Sequence, residues 1–91
     1  MKIEPNKSVK ILVTHSECEL MAEGDTVFLK GPMLESDKSS SICVTALLSI
    51  YPWIFASRFG IKSEDLEWDN GYHVWCPEKL VEFTITTIEA S

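Results

Sequence analysis

Cys18, Cys43 and Cys76 are the residues of this chain best suited to chemistry, and they stand far apart. A thiolate is both a nucleophile and a soft metal ligand. Three thiolates together with His15, His73 or Asp25 would complete a four-ligand zinc shell, or hold iron–sulfur iron. No CxxC pair is present, so the signatures of zinc ribbons and thioredoxin-type redox sites are missing. Cys43 carries a reading of its own. It opens the stretch CVTALLSIYPWIF, where the positive end of a helix would lower a thiol pKa. The plainer reading is a small buried hydrophobe at a helix start.

The remaining polar residues carry less. His15 and His73 are the two histidines; neither has an evident orienting acid, and no nucleophile motif accompanies them. Alternation along a strand puts His73 and Trp75 on one face and Tyr72, Val74 and Cys76 on the other, so His73 and Cys76 do not share a face. Arg58 ends an apolar stretch, where it complements a helix dipole or offers a guanidinium to an anion. Glu64, Asp65, Glu67 and Asp69 form an acidic loop without EF-hand spacing. No catalytic residue and no cofactor follow from these positions.

The elements that must position them are four strands and two helices. Val9–Thr14 and Asp25–Lys30 read as β-branched, apolar strands, the second closed by Gly31-Pro32. Tyr72–Cys76 and Leu80–Ile88 read as a second hairpin around Pro77-Glu78-Lys79. Between them, Ser39, Ser40 and Ser41 offer N-caps, and Ile42, Thr45, Ala46, Ser49 and Ile50 share one side of a helix, widened by Leu47 and Leu48. Pro52 cannot donate its backbone hydrogen bond and disfavours helical geometry at Tyr51. The expectation is a corner at Tyr51-Pro52 between helices over residues 40–50 and 52–59, with Gly60 as the stop. Ser63–Glu67 reads as one further turn. The order β-β-α-α-β-β predicts one α+β domain over residues 1–91: two β-hairpins forming a largely antiparallel four-stranded sheet around a proline-broken helical corner.

Composition bounds what such a domain does. The 91 residues are 45% hydrophobic and carry a net charge of −6, with 14 acidic against 8 basic residues. That balance argues against nucleic acid, whose binders present a basic face, and against anionic lipid. The stretch Ser39–Ser57 is uncharged and close to bilayer-spanning length. Its serines, threonine and central proline make it the middle of a soluble domain instead. The opening MKIEPNKSVK lacks the apolar run of a signal peptide, so a reducing, cytoplasmic compartment with free or metal-bound thiols is expected.

The chain also resembles an uncharacterised family of small prokaryotic proteins of about ninety residues, the size of this chain. The likeness rests on Cys18 ahead of Gly24-Asp25, on Cys43-Val44-Thr45-Ala46-Leu47, on YPWIFASRFG from Tyr51 to Gly60, and on Cys76-Pro77. Val44 stands where members of that family often have proline, and Glu19 follows Cys18 where they often have Cys-Pro. The resemblance implies a shared fold and three-cysteine layout and no activity.

With Ile11, Val13, Val27, Leu29, Val74, Val81, Phe83 and Ile85 facing the helices, Leu12, Phe28, Trp75, Leu80 and Ile88 would form an apolar outer sheet face, too apolar for a monomer. The expected function is a small cytoplasmic binding or accessory domain, non-catalytic and self-associating or bound to a protein partner. The alternative is a thiol site, metal-binding or redox, using Cys43 with Cys18 and Cys76.

Overall fold

A computed structural model describes residues 7–61, 63–66, 68 and 71–88. The chain forms strands β1 (Ser8–Ser16), β2 (Thr26–Lys30) and β3 (Met33–Leu34), helix α1 (Val44–Arg58), then β4 (Tyr72–Trp75) and β5 (Val81–Ile88), with single 3₁₀ turns at Ser36–Lys38 and Ser63–Leu66. One antiparallel sheet runs in the order β3-β2-β1-β5-β4. The α+β class and both expected hairpins are present. The strand number differs, because the chain does not leave the sheet at Gly31-Pro32. Gly31, at φ 57°, turns it back, and Met33 and Leu34 pair with Lys30 and Leu29. A two-residue strand is too short to show a period-two pattern.

The period-two reading of the longer strands holds. Val9, Ile11, Val13, Val27, Leu29, Val74, Val81, Phe83 and Ile85 are all buried, and they meet Ala46, Ile50 and Ile54 of α1. Tyr72 completes this core. Its hydroxyl donates to the Ile61 carbonyl at 2.9 Å, and its ring lies 5.4 Å from Trp53 and 5.9 Å from Trp68.

The helix is continuous through Pro52, not broken into two. Its buried residues Ala46, Ile50, Ile54 and Ser57 recur at helical spacing on both sides of the proline. An interior proline costs about 3 kcal/mol, whereas each buried isoleucine contributes about 1.5–3 kcal/mol. Keeping Ile50 and Ile54 on one stripe therefore outweighs the lost bond. Pro52 is itself exposed, so the Leu48 carbonyl it leaves unpaired faces the solvent side of the helix.

The helix start also differs from expectation. Its N-cap is Cys43, whose side chain makes no capping hydrogen bond. The serines serve β2 instead. Ser39 Oγ accepts from Phe28 N at 2.9 Å, and Ser40 Oγ accepts from Thr26 N at 3.3 Å. Ser40 N donates in turn to the Thr26 carbonyl at 2.8 Å. These bonds cover the stretch of β2 that β3 is too short to pair, which protects an edge that would otherwise invite foreign strands. Gly60 stops the helix as expected: at φ 75° it donates to Ser57 O at 3.0 Å, and Ile61 donates to Ala56 O at 3.1 Å, the paired bonds of a Schellman motif.

Candidate functional site

The three cysteines are free, and two of them sit at one end of the sheet. Glu17, beside Cys18, donates to Leu80 O, and Cys76 N donates to Val81 O; both thiols thus lie where β1 ends and β5 begins. The far end of α1 is fixed at the opposite pole, where Lys7 N meets Arg58 O and Thr87 Oγ1 donates to Ser57 O. Cys43 lies at the start of α1, and all three cysteines belong to or pack against the one hydrophobic cluster. Among the described residues, no three His, Cys, Asp or Glu groups come close enough to hold a metal ion. Asp25 is engaged in its own turn, its carboxylate accepting from Ala22 N at 2.9 Å.

Cys76 has the most developed surroundings of the three. Leu80 N donates to its Sγ at 3.3 Å. Burial pushes the thiol up, but the N–H groups of Leu80, Val81, Glu78 and Lys79 outweigh it and hold the pKa below the ordinary thiol value. Lys79 makes this turn possible by adopting φ 59°, a left-handed conformation that a lysine rarely takes. Spacing alone gave no sign of this ring of donors, because it depends on how the hairpin loop folds over its own first residue.

Both histidines lie on the outer sheet face. A bulge between Val13 and His15 turns His15 outward, so that its ring lies 5.8 Å from Trp75; Glu17 is 3.6 Å from its Nε2. His73 Nδ1 is 3.0 Å from Thr84 Oγ1, and Thr14 Oγ1 donates to Glu82 Oε1 at 2.8 Å. This polar row crosses the outer face of the sheet, where the Trp68 ring lies 6.5 Å from that of His73. It breaks up the expected apolar patch: Phe28 sits opposite Lys10, and Leu12 sits between Thr26 and Thr84. Of Leu12, Phe28, Trp75, Leu80 and Ile88, only Trp75 is exposed, and Leu80 packs against the core.

A cavity of about 540 Å³ opens at the end of the sheet opposite Cys18 and Cys76, lined by Lys7, Ser57, Glu64, Tyr72, Thr86 and Thr87 among others. Ser57 is fully buried and its Oγ has no hydrogen-bond partner. A water in this polar, roomy space would satisfy it. Of the expected acidic loop, Glu67 and Asp69 lie outside the described residues.

Among the described residues, α1 carries four of the nine exposed large hydrophobic side chains. Val44, Leu48, Tyr51 and Phe55 are 66%, 70%, 39% and 46% exposed. Their spacing of four, three and four residues sets them within about 60° of one another around the axis, on the side away from Ala46, Ile50 and Ile54. Tyr51 and Phe55 pack ring on ring at 6.2 Å, and Phe55 and Phe59 at 4.5 Å. Arg58 is folded onto this surface, donating to Tyr51 Oη at 2.7 Å with its guanidinium 5.5 Å from the Phe55 ring centre. The helix thus carries apolar residues on its buried side and along this exposed row, with the polar Thr45 and Ser49 also exposed.

No family model, curated protein or solved structure matches this chain. The case for a working surface therefore rests on its own residues. The α1 stripe was visible in the sequence as apolar residues at positions 44, 48, 51 and 55, a coiled-coil spacing. The expected corner at Pro52 concealed it, because a corner would have separated Tyr51 from Phe55. Thr45 and Ser49, assigned to the buried side, are exposed.

Proposed function

We propose that this is a small, cytoplasmic, non-catalytic binding domain that works through protein contact, with the outer face of α1 as its contact surface. The observation that carries the reading is the exposed row Val44, Leu48, Tyr51 and Phe55. Leaving such a row in water costs about 25 cal/mol per Å², and contiguous patches of this kind mark interaction sites. Tyr51 and Phe55, flanked by Arg58, supply the residue types enriched where binding energy concentrates. Supporting a contact with protein are the net charge of −6, which disfavours nucleic acid and anionic lipid, and a helix that falls short of the length and apolarity needed to cross a membrane. Three free thiols accord with a reducing compartment.

The test is Leu48→Glu. On an exposed contact face it leaves stability within about 0.5 kcal/mol of wild type and abolishes assembly measured by light scattering, whereas Trp75→Glu on the outer sheet face leaves assembly intact. A Leu48→Glu chain that unfolds identifies the stripe as core and ends the proposal.

A second reading is a thiol site, metal-binding or redox, in which Cys43 acts with Cys18 and Cys76. The backbone donors around Cys76 Sγ favour it. Elemental analysis after anaerobic purification decides it: zero metal with three freely titrating thiols removes the metal form.

A further inference from the structure

We infer that the occupant of the α1 face is a second copy of this chain, its α1 packed antiparallel on the first about a two-fold axis at Tyr51. The inference rests on the reading of that face as a contact surface and names its partner.

Two observations favour self-pairing, and a third sets its strength. The first is sequence symmetry. Tyr51 is the midpoint of Val44–Arg58, so an antiparallel copy brings Leu48 against the partner's Phe55 and Val44 against the partner's Arg58 and its neighbouring ring. Smaller side chains at one end thus meet aromatic ones at the other, the interdigitation that knobs-into-holes packing requires. A parallel pair would instead stack Phe55 on Phe55 and place two Arg58 guanidinium groups together, a like-charge contact.

The second observation is charge. The chain carries 14 acidic residues, and two copies repel wherever these meet. Helix α1 contains no acidic residue, and Arg58 is its sole charge. Contact through α1 therefore brings the copies together without apposing carboxylates. A strongly basic partner would find nothing there to pair with, and a membrane-surface helix would need cations along a polar face.

The third is area. The four exposed fractions, taken with full areas on the order of 150–250 Å² per large side chain, amount to about 400 Å² per copy. Two copies would bury at most about 800 Å² through these four side chains, below the roughly 1,200 Å² of a standard interface and in the range of weak, transient contacts. The dimer is therefore reversible and dissociates on dilution. Added salt strengthens it by screening the acidic surfaces.

Cysteine cross-linking in a background with Cys18, Cys43 and Cys76 replaced by alanine tests the geometry. Tyr51→Cys lies on the axis and links to its own mate under mild oxidation. Val44→Cys does not, because mates seven residues from the axis stand about 21 Å apart, far beyond disulfide reach. Val44→Cys mixed with Arg58→Cys does link. Self-linking by Val44→Cys would show a parallel pair and overturn the antiparallel assignment. Wild-type chain that stays monomeric at every concentration, with no cross-link at Tyr51→Cys, overturns the second copy as occupant. A Leu48→Glu variant that remains folded in that experiment leaves the contact face standing for a different protein, and one that unfolds removes the face itself, so the two failures are separable.

Discussion

Pro52→Ala stabilises this protein. Alanine restores the N–H that the Leu48 carbonyl lacks and removes the ring that crowds the preceding turn, a gain of about 3 kcal/mol for an interior helical position. The unfolded chain gains back about 0.4–1 kcal/mol of conformational freedom, which offsets part of this. The Leu48 carbonyl lies on the solvent side, where water already compensates for some of the lost bond. The net stabilisation is about 1–2 kcal/mol, or roughly 5–15 °C in the thermal midpoint of a domain this size. Urea unfolding followed by far-UV circular dichroism measures it, with an unchanged denaturant slope showing that the same surface is exposed. A single continuous helix requires the midpoint to rise. If Pro52→Ala lowers it, the proline was stabilising a corner, and the account of Ile50 and Ile54 holding one helix together is wrong.

Further outcomes follow from individual contacts. Cys43→Ser supplies the side-chain oxygen that the N-cap of α1 lacks and raises stability by about 0.5–1 kcal/mol in chemical denaturation; a loss above that size would show that Cys43 packing matters more than capping. Ser57→Ala removes a buried hydroxyl that no protein group partners and that lines a polar cavity roomy enough for water, so stability stays within about 1 kcal/mol of wild type; a larger loss would show that the hydroxyl holds a bound group. Cys76 has a folded pKa below its unfolded value, so the unfolded chain binds more protons in the interval between them and stability rises with pH there. The contribution is complete above about pH 8.5 and is lost as pH falls through the folded value. Subtracting the stability of Cys76→Ala from that of wild type across pH isolates it, and a flat difference contradicts the donor ring around Sγ.

Much of the fold was legible because it depends on alternation. The buried residues of β1, β2 and β5 follow period two without exception, so the class, the hairpins and the helix-facing side came directly from the sequence. What was not legible depends on competition between local and tertiary terms. Pro52 is a helix breaker by every local rule, and it yields because the buried stripe runs past it. Ser39 and Ser40 are good N-caps, but β2 has unpaired backbone groups within their reach. The apolar residues 44, 48, 51 and 55 are plain in the sequence once the helix is known to be whole. The expected contact surface was placed on the sheet by period-two alternation alone, and Lys10, Thr84 and Glu82 stand opposite its residues. The turn around Cys76 and the bulge that exposes His15 are set by backbone conformations that spacing does not encode.

The claim that α1 carries the contact surface is tested most directly by nuclear magnetic resonance of the side chains over a dilution series. The account predicts concentration-dependent shifts at Val44, Leu48, Tyr51 and Phe55, with Leu12, Phe28 and Ile88 unmoved. Shifts confined to Leu12, Phe28, Trp75 and Ile88 would place the contact on the outer sheet face and contradict it.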